Sequence, residues 1–181
     1  DVDADAWYKE AVDFAVTYKF FNGTSTDTFS PSLNMSRAQF VMVFANIAGV
    51  DVSNTNIDSG FDDVPNGMWY TAAVKWASDN GVVNGIGNGM FDPDANVTRE
   101  QMCVMIVRYV KEYLGMPLEK VEDAVIFNDD ATISSWAKEA VYQCVEADLI
   151  NGVGGNMFSS SNPATRAEGA TLFTRFYKGY N

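Results

Sequence analysis

Apolar side chains recur at helical spacing in three stretches of this chain. Trp7, Ala11, Phe14, Ala15 and Tyr18 form one stripe, Trp69, Ala73, Trp76 and Ala77 a second, and Trp136, Ala140, Cys144 and Ala147 a third. Steps of three and four residues put each set on one face, so each stretch predicts an amphipathic helix opened by its tryptophan. Each stripe then meets Asn-Gly, at Asn22-Gly23, Asn84-Gly85 and Asn151-Gly152, followed by a polar or glycine-rich loop where a helix stops and the chain turns. The loops close on Phe29, Phe91 and Phe158.

A second helix follows in each case. Ser36, Thr98 and Thr165 stand three residues before Gln39, Gln101 and Glu168, which is the spacing of a capping box. Behind the caps run Phe40 to Phe44, Met102 to Val107 and Ala170 to Phe173, too apolar for surface helices. The second helices therefore belong together at the centre, with the first helices outside. Gly49, Gly115 and Gly179 lie near their ends, where C-terminal stops are expected.

The elements form a repeat. Trp7 to Arg37, Trp69 to Arg99 and Trp136 to Arg166 are each separated by 30 residues. Three copies result, at approximately 1–50, 61–115 and 127–181, joined by acidic, polar linkers at 51–60 and 116–126. A copy with two helices is too small to hide both apolar faces, so the copies are expected to pack into one composite, mainly α domain spanning 1–181.

Charge narrows the partners. The 24 acidic and 12 basic side chains of this 181-residue chain leave a net charge of -12, which repels nucleic acid and anionic membranes. A ligand with a single carboxylate is a different case, because salt screens distant charges over about 8 Å and lets one local arginine dominate. No histidine is present, which removes the usual pH switch, the commonest zinc ligand and any serine or cysteine catalytic triad. Cys103 and Cys144 are too far apart for a metal or redox motif and read as buried thiols, with a disulfide between the second and third copies as the alternative. There is no signal peptide, lipidation motif or run of 18 apolar residues, so no transmembrane segment is expected. Asp1 falls where the other copies are already inside their motif, which suggests a fragment of a longer exported protein.

Candidate chemistry centres on Arg37, Arg99 and Arg166. Each follows a capping residue, so it enters the first turn of a helix, where the macrodipole favours anions and a cation costs a few tenths of a kcal/mol. Two readings account for three such placements: a carboxylate receptor built from guanidinium and free helix amides, or ties to acids of a neighbouring copy such as Asp63 or Asp129. Trp7, Trp69 and Trp136 could stack on a sugar ring or pack in the core. Trp76 has no tryptophan counterpart and reads as core or as a contact in one groove. Gly23, Gly85 and Gly152 suit positive-φ turns or close approach to a ligand. Asp92-Pro93-Asp94 does not continue into a calcium loop, because Val97 stands where glycine is required. Nothing favours the carboxylate pairs Asp62-Asp63 or Asp129-Asp130 as a glycosidase acid and base. No catalytic, metal or cofactor site is therefore expected.

Phe61-Asp62-Asp63-Val64, Trp69-Tyr70, Val83-Asn84-Gly85, Phe91-Asp92-Pro93 and Thr98-Arg99-Glu100-Gln101 together resemble the S-layer homology module, in three tandem copies over nearly the whole chain. The family signature Thr-Arg-Ala-Glu appears as Ser36-Arg37-Ala38-Gln39, Thr98-Arg99-Glu100-Gln101 and Thr165-Arg166-Ala167-Glu168. The resemblance implies a pseudo-threefold spindle of helix-loop-helix units around a central three-helix bundle, with grooves between repeats. It also implies noncovalent anchoring to a bacterial cell wall or S-layer through a secondary cell-wall polysaccharide, typically one ending in pyruvylated N-acetylmannosamine, for an S-layer protein or surface enzyme fused to it. Peptidoglycan binding or protein assembly in the envelope are the alternatives. By resemblance the ligand-binding positions fall on Arg37, Arg99 and Arg166, on Asp1, Asp63 and Asp129, on the three tryptophans and on the three loop glycines. Copy 3 departs most: Ala131, Ala137 and Ser160 replace Val64, Tyr70 and Pro93, and an extra residue leaves Asp129 and Asp130 both eligible, so its groove is the candidate for altered binding. Arg37→Ala, Arg99→Ala and Arg166→Ala are each expected to silence one groove and leave folding intact, as cell-wall pull-down and thermal melting would show.

Overall fold

The computed structural model describes residues 1–180. Its helices are α1 (Lys9–Thr17), α2 (Arg37–Ile47), α3 (Thr71–Asp79), α4 (Arg99–Arg108), α5 (Lys138–Glu146) and α6 (Arg166–Tyr180), and α4 runs on into a π-helical turn, Tyr109–Tyr113. No extended strand forms among the described residues, only isolated bridges. The fold is mainly α, two helices per repeat, as the periodicity predicts.

Local chemistry explains the boundaries. Ser36 and Thr98 each accept the N–H three residues on, while Gln39 and Gln101 accept the N–H of the cap itself. Thr165 and Glu168 make the same pair of bonds at 2.8 and 3.2 Å. The first helices begin two residues after their tryptophans, so Trp7, Trp69 and Trp136 sit in the entering turn and not inside the helix. These helices end where Lys19, Gly81 and Asp148 take φ of 60°, 71° and 52°, the left-handed conformation that closes a helix.

The inner helices meet through aromatic rings. Phe44 of α2 stacks on Tyr109 at 4.8 Å and meets Phe173 of α6 edge-on at 4.9 Å, while Tyr109 contacts Phe176 at 5.5 Å. All four rings are essentially inaccessible to solvent. The outer helices pack one repeat back, α3 on α2, α5 on α4 and α1 on α6. Cys103 on α4 and Cys144 on α5 are free, buried thiols, with the Cys144 thiol directed at the Cys103 carbonyl at 3.7 Å. Burial pushes the Cys144 thiol well up from its usual range.

At the N-terminal ends of the inner helices the backbone closes a ring. Met35 N–H donates to the Ala164 carbonyl (2.9 Å), Ala164 N–H to Val97 (2.8 Å), and Val97 N–H to Met35 (2.9 Å). Each bond crosses between repeats, so the ring needs all three. Trp76 is half-buried against Tyr109 and Tyr113, which assigns it to packing between α3 and the end of α4.

The convergence on Phe173 generates a prediction. Phe173→Ala removes a ring in contact with Phe21, Phe40 and Phe44 and should destabilise the chain by about 3–5 kcal/mol. Urea unfolding followed by tryptophan fluorescence should show one shifted transition; separate transitions for the repeats would contradict a shared core.

Candidate functional site

The three arginines are nearly inaccessible, with 4%, 3% and 6% of Arg37, Arg99 and Arg166 exposed. Each reaches across to the next repeat. Arg37 Nε donates to the Phe91 carbonyl (2.8 Å), Arg99 Nε to Phe158 (2.8 Å), and Arg166 Nε to Phe29 (2.7 Å). The guanidinium carbon lies over the same phenylalanine's ring at 4.8, 4.9 and 4.5 Å. Charge-assisted hydrogen bonding and cation–π attraction thus offset the cost of burying the cation. Burial still pulls the Arg37 and Arg166 guanidiniums down from their usual range, opposed at Arg37 by the charges of Asp92 and Asp63.

The aspartates hold the other side of those peptides. Asp63 accepts the N–H groups of Phe91 and Asp92 at 2.8 and 2.6 Å, Asp1 those of Phe29 and Ser30, and Asp129 those of Phe158 and Ser159. Asp92, Ser30 and Ser159 sit at φ near +60°, unfavourable for non-glycine residues, and the two bonds from each carboxylate hold them there. Asp129 is the equivalent in copy 3, since Asp130 pairs with Lys138 and the Tyr142 hydroxyl. None of Asp1, Asp63 and Asp129 forms an ion pair with an arginine. Of the three motif arginines, Arg99 pairs with an acid, and that acid is Glu168.

Two expectations are corrected. The N-terminal amides of the inner helices are not free: Arg37, Arg99 and Arg166 N–H donate to the carbonyls of Ala95, Asn162 and Leu33 of the adjoining repeat, and the next amide in each case donates to Pro93, Ser160 or Pro31. The third goes to the capping hydroxyl. The helix ends are consumed in joining repeats, so any donor toward the grooves has to come from guanidinium Nη groups that the protein leaves unused. The arginines also cannot be truncated without structural cost, because each spans two repeats in a buried setting; loss of about 2 kcal/mol or more is expected for alanine.

Three grooves lie beside the arginines, each with side chains from all three repeats. Beside the Asn22-Gly23 loop, Arg166 and Trp69 line a cavity of about 320 Å³; beside Asn84-Gly85, Arg37 and Trp136 line one of about 340 Å³; beside Asn151-Gly152, Arg99 and Trp7 line one of about 380 Å³. The loop and inner helix come from one repeat, the arginine from the repeat before, and the tryptophan from the repeat after. These volumes lie in the range of small-ligand sites.

The indoles are not core. Trp7, Trp69 and Trp136 are 68%, 51% and 59% exposed, and Trp7 and Trp69 touch the following tyrosine edge-on, leaving ring surface at the groove wall. The loop glycines answer chiefly to sterics. A Cβ on Gly23, Gly85 or Gly152 would meet the carbonyl of Thr28, Met90 or Met157 at 2.7, 2.5 or 2.7 Å, and only Gly85 has positive φ, at +71°. Among the described residues no cluster of three or more potential metal ligands occurs. The sequence reading missed a further trio lining the same grooves, Asn46, Arg108 and Arg175, each nine residues after a motif arginine. That shared register was the available signal.

Asp129 supplies a pH-dependent test. Burial pushes its carboxyl up, but hydrogen bonds from Phe158 and Ser159 N–H and the Arg99 charge outweigh this and hold it below the usual carboxylate range. A lowered folded-state value contributes stability above the unfolded value of about 3.9, and that contribution is lost as pH falls through the lower folded value. Asp129→Asn should cost about 2–3 kcal/mol near neutral pH. The gap to the parent chain in urea unfolding should narrow as pH falls below the unfolded value of about 3.9; a gap constant with pH would contradict a stabilising role for the Asp129 carboxylate.

Comparison with known proteins accords with this geometry. The chain matches the S-layer homology domain family at residues 1–41, 60–103 and 126–170, one match per repeat. It is 32% identical to an exoglucanase of Acetivibrio thermocellus over 93% of this chain and 15% of that protein. It is 28% identical to a surface-layer 125 kDa protein of Lysinibacillus sphaericus over 92% of this chain and 14% of that protein. A cellulosome-anchoring protein of Acetivibrio thermocellus is 26% identical over 86% of this chain and 35% of its own length. The chain therefore spans a minor part of each of these relatives. With all three repeats matched in register, the chain belongs to the S-layer homology domain family.

Proposed function

We propose that this chain is a noncatalytic anchor that binds a bacterial secondary cell-wall polysaccharide in the grooves between its repeats. A terminal pyruvylated amino sugar would set its carboxylate on an arginine and a sugar face against the exposed indole. The carrying observation is the pairing, three times, of a buried guanidinium with a tryptophan more than half exposed at one groove. A carboxylate matches the planar donors of arginine, and axial C–H groups of a sugar match an aromatic face. In this reading Arg37, Arg99 and Arg166 bind the anion and Trp7, Trp69 and Trp136 stack. Gly23, Gly85 and Gly152 let the loop close beside the ligand, while Asp1, Asp63 and Asp129 fix the peptides on which the arginines rest.

Family membership and the surface-layer and anchoring relatives support a location at the bacterial cell wall or S-layer. The short share of each relative supports fusion to an S-layer protein or surface enzyme that supplies the rest of the activity. No helix among the described residues is long and apolar enough to cross a membrane.

Binding to sacculi, before and after removal of the secondary polymer and its pyruvyl groups, tests this. Binding should disappear with the pyruvate. Because the tryptophans are more than half exposed and outside the core, replacing all three by alanine should leave a single cooperative melting transition while weakening wall binding about tenfold or more. Full retention on bare peptidoglycan would instead assign the ligand to peptidoglycan, and association of the chain with itself in the absence of glycan would favour an assembly module.

A further inference from the structure

The three grooves share an architecture but not a charge state. Arg37 uses only Nε, on the Phe91 carbonyl, and its Nη groups have no partner among the described residues. Arg166 uses Nε and also Nη2, which donates to the Asn22 carbonyl at 2.7 Å. Arg99 uses Nε, donates Nη2 to the Asn151 carbonyl at 2.7 Å, and gives Nη1 to the Glu168 carboxylate. The donors left for a ligand therefore fall from Arg37 through Arg166 to Arg99.

Neighbouring side chains reinforce the order. At the capping position that lines each groove, Gln101 faces Arg37 and Gln39 faces Arg166, whereas Glu168 forms the ion pair with Arg99. At the position nine residues after the motif arginine, the Arg37 groove carries Arg108, whose guanidinium makes no hydrogen bond or ion pair among the described residues. The Arg166 groove has Asn46 there, tied to the Phe20 carbonyl, and the Arg99 groove has Arg175, paired with Asp148 at 3.2 Å. Asp92 and Asp63 do act on Arg37 through space, but neither forms an ion pair with it or lines its groove. A carboxylate in direct contact competes with a ligand for the same donors; a charge beyond contact is screened.

We infer that the groove beside Asn84-Gly85 is the primary anion receptor of this chain, strengthened by Arg108, and that the groove beside Asn151-Gly152 is held in a self-neutralised state by Glu168. This rests on the carbohydrate-anchor reading and adds which groove acts and why. Glu168 is the specificity-determining residue: it occupies Arg99 as a ligand carboxylate would, and removing its charge frees the site.

Each groove contains its own reporter. Trp136, Trp69 and Trp7 lie in the Arg37, Arg166 and Arg99 grooves, and Trp76 lies outside all three. Indole N–H signals of the ¹⁵N-labelled chain would be followed while adding a pyruvylated N-acetylmannosamine monosaccharide, with plain N-acetylmannosamine as the uncharged control. Trp136 should respond at the lowest concentration, Trp69 next and Trp7 last, with Trp76 static. Arg108→Asn should weaken the Trp136 response about tenfold, and Glu168→Gln should strengthen the Trp7 response about tenfold. Glutamine already caps α2 and α4, so Glu168→Gln keeps the helix start. Three equal responses, or a Trp7 response unmoved by Glu168→Gln, would overturn the ranking while leaving the anchor reading in place. Silence of all three indoles toward both sugars would overturn the anchor reading and the ranking with it.

Discussion

Each repeat is tied to the next by one arginine, whose Nε donates to the carbonyl of a phenylalanine and whose guanidinium lies on that residue's ring. The position is unfavourable on two counts, a cation at a helix N-terminus and a charge removed from water. It is held by an aspartate of the receiving repeat, which grips the N–H of the same phenylalanine. Aspartate, peptide and arginine form a relay that crosses each junction once. Because the arginine's backbone N–H also donates across that junction, the helix terminus cannot shift without disturbing the loop it faces.

The same relay builds the grooves. Nε is spent on the junction, so only the Nη edge can face a ligand, and its direction is fixed by the bond behind it. Preorganisation of this kind limits the entropy lost on binding. It also explains why every groove needs three repeats: one brings the loop and inner helix, its predecessor the arginine, its successor the tryptophan. A single copy has no groove of its own.

Much of this was legible in sequence. The capping pairs Ser36/Gln39, Thr98/Gln101 and Thr165/Glu168 located the inner helices because a cap is a local hydrogen-bond pattern with fixed spacing. Equal distances from tryptophan to arginine identified equivalent positions. Periodicity does not say which repeat touches which, so the exchange of arginines and tryptophans around the ring was hidden. It also could not show that helix amides were already used by Ala95, Asn162 and Leu33, since those acceptors come from other repeats. Trp7, Trp69 and Trp136 look like core positions by spacing, yet starting the helix two residues later turns them outward. Spacing marks Glu168 as a cap alone; in the fold one of its oxygens makes the cap while the other holds Arg99.

In the proposed anchor, the unspent Nη edge of a buried arginine, beside an exposed indole, receives the ligand's anion. A crystal structure of the chain soaked with a pyruvylated fragment of cell-wall polysaccharide would show this contact or its absence. The carboxylate should lie on Arg37 Nη atoms with a sugar ring against Trp136. A fragment bound outside the three grooves, or seated in one with its carboxylate turned away from the arginine, would contradict it.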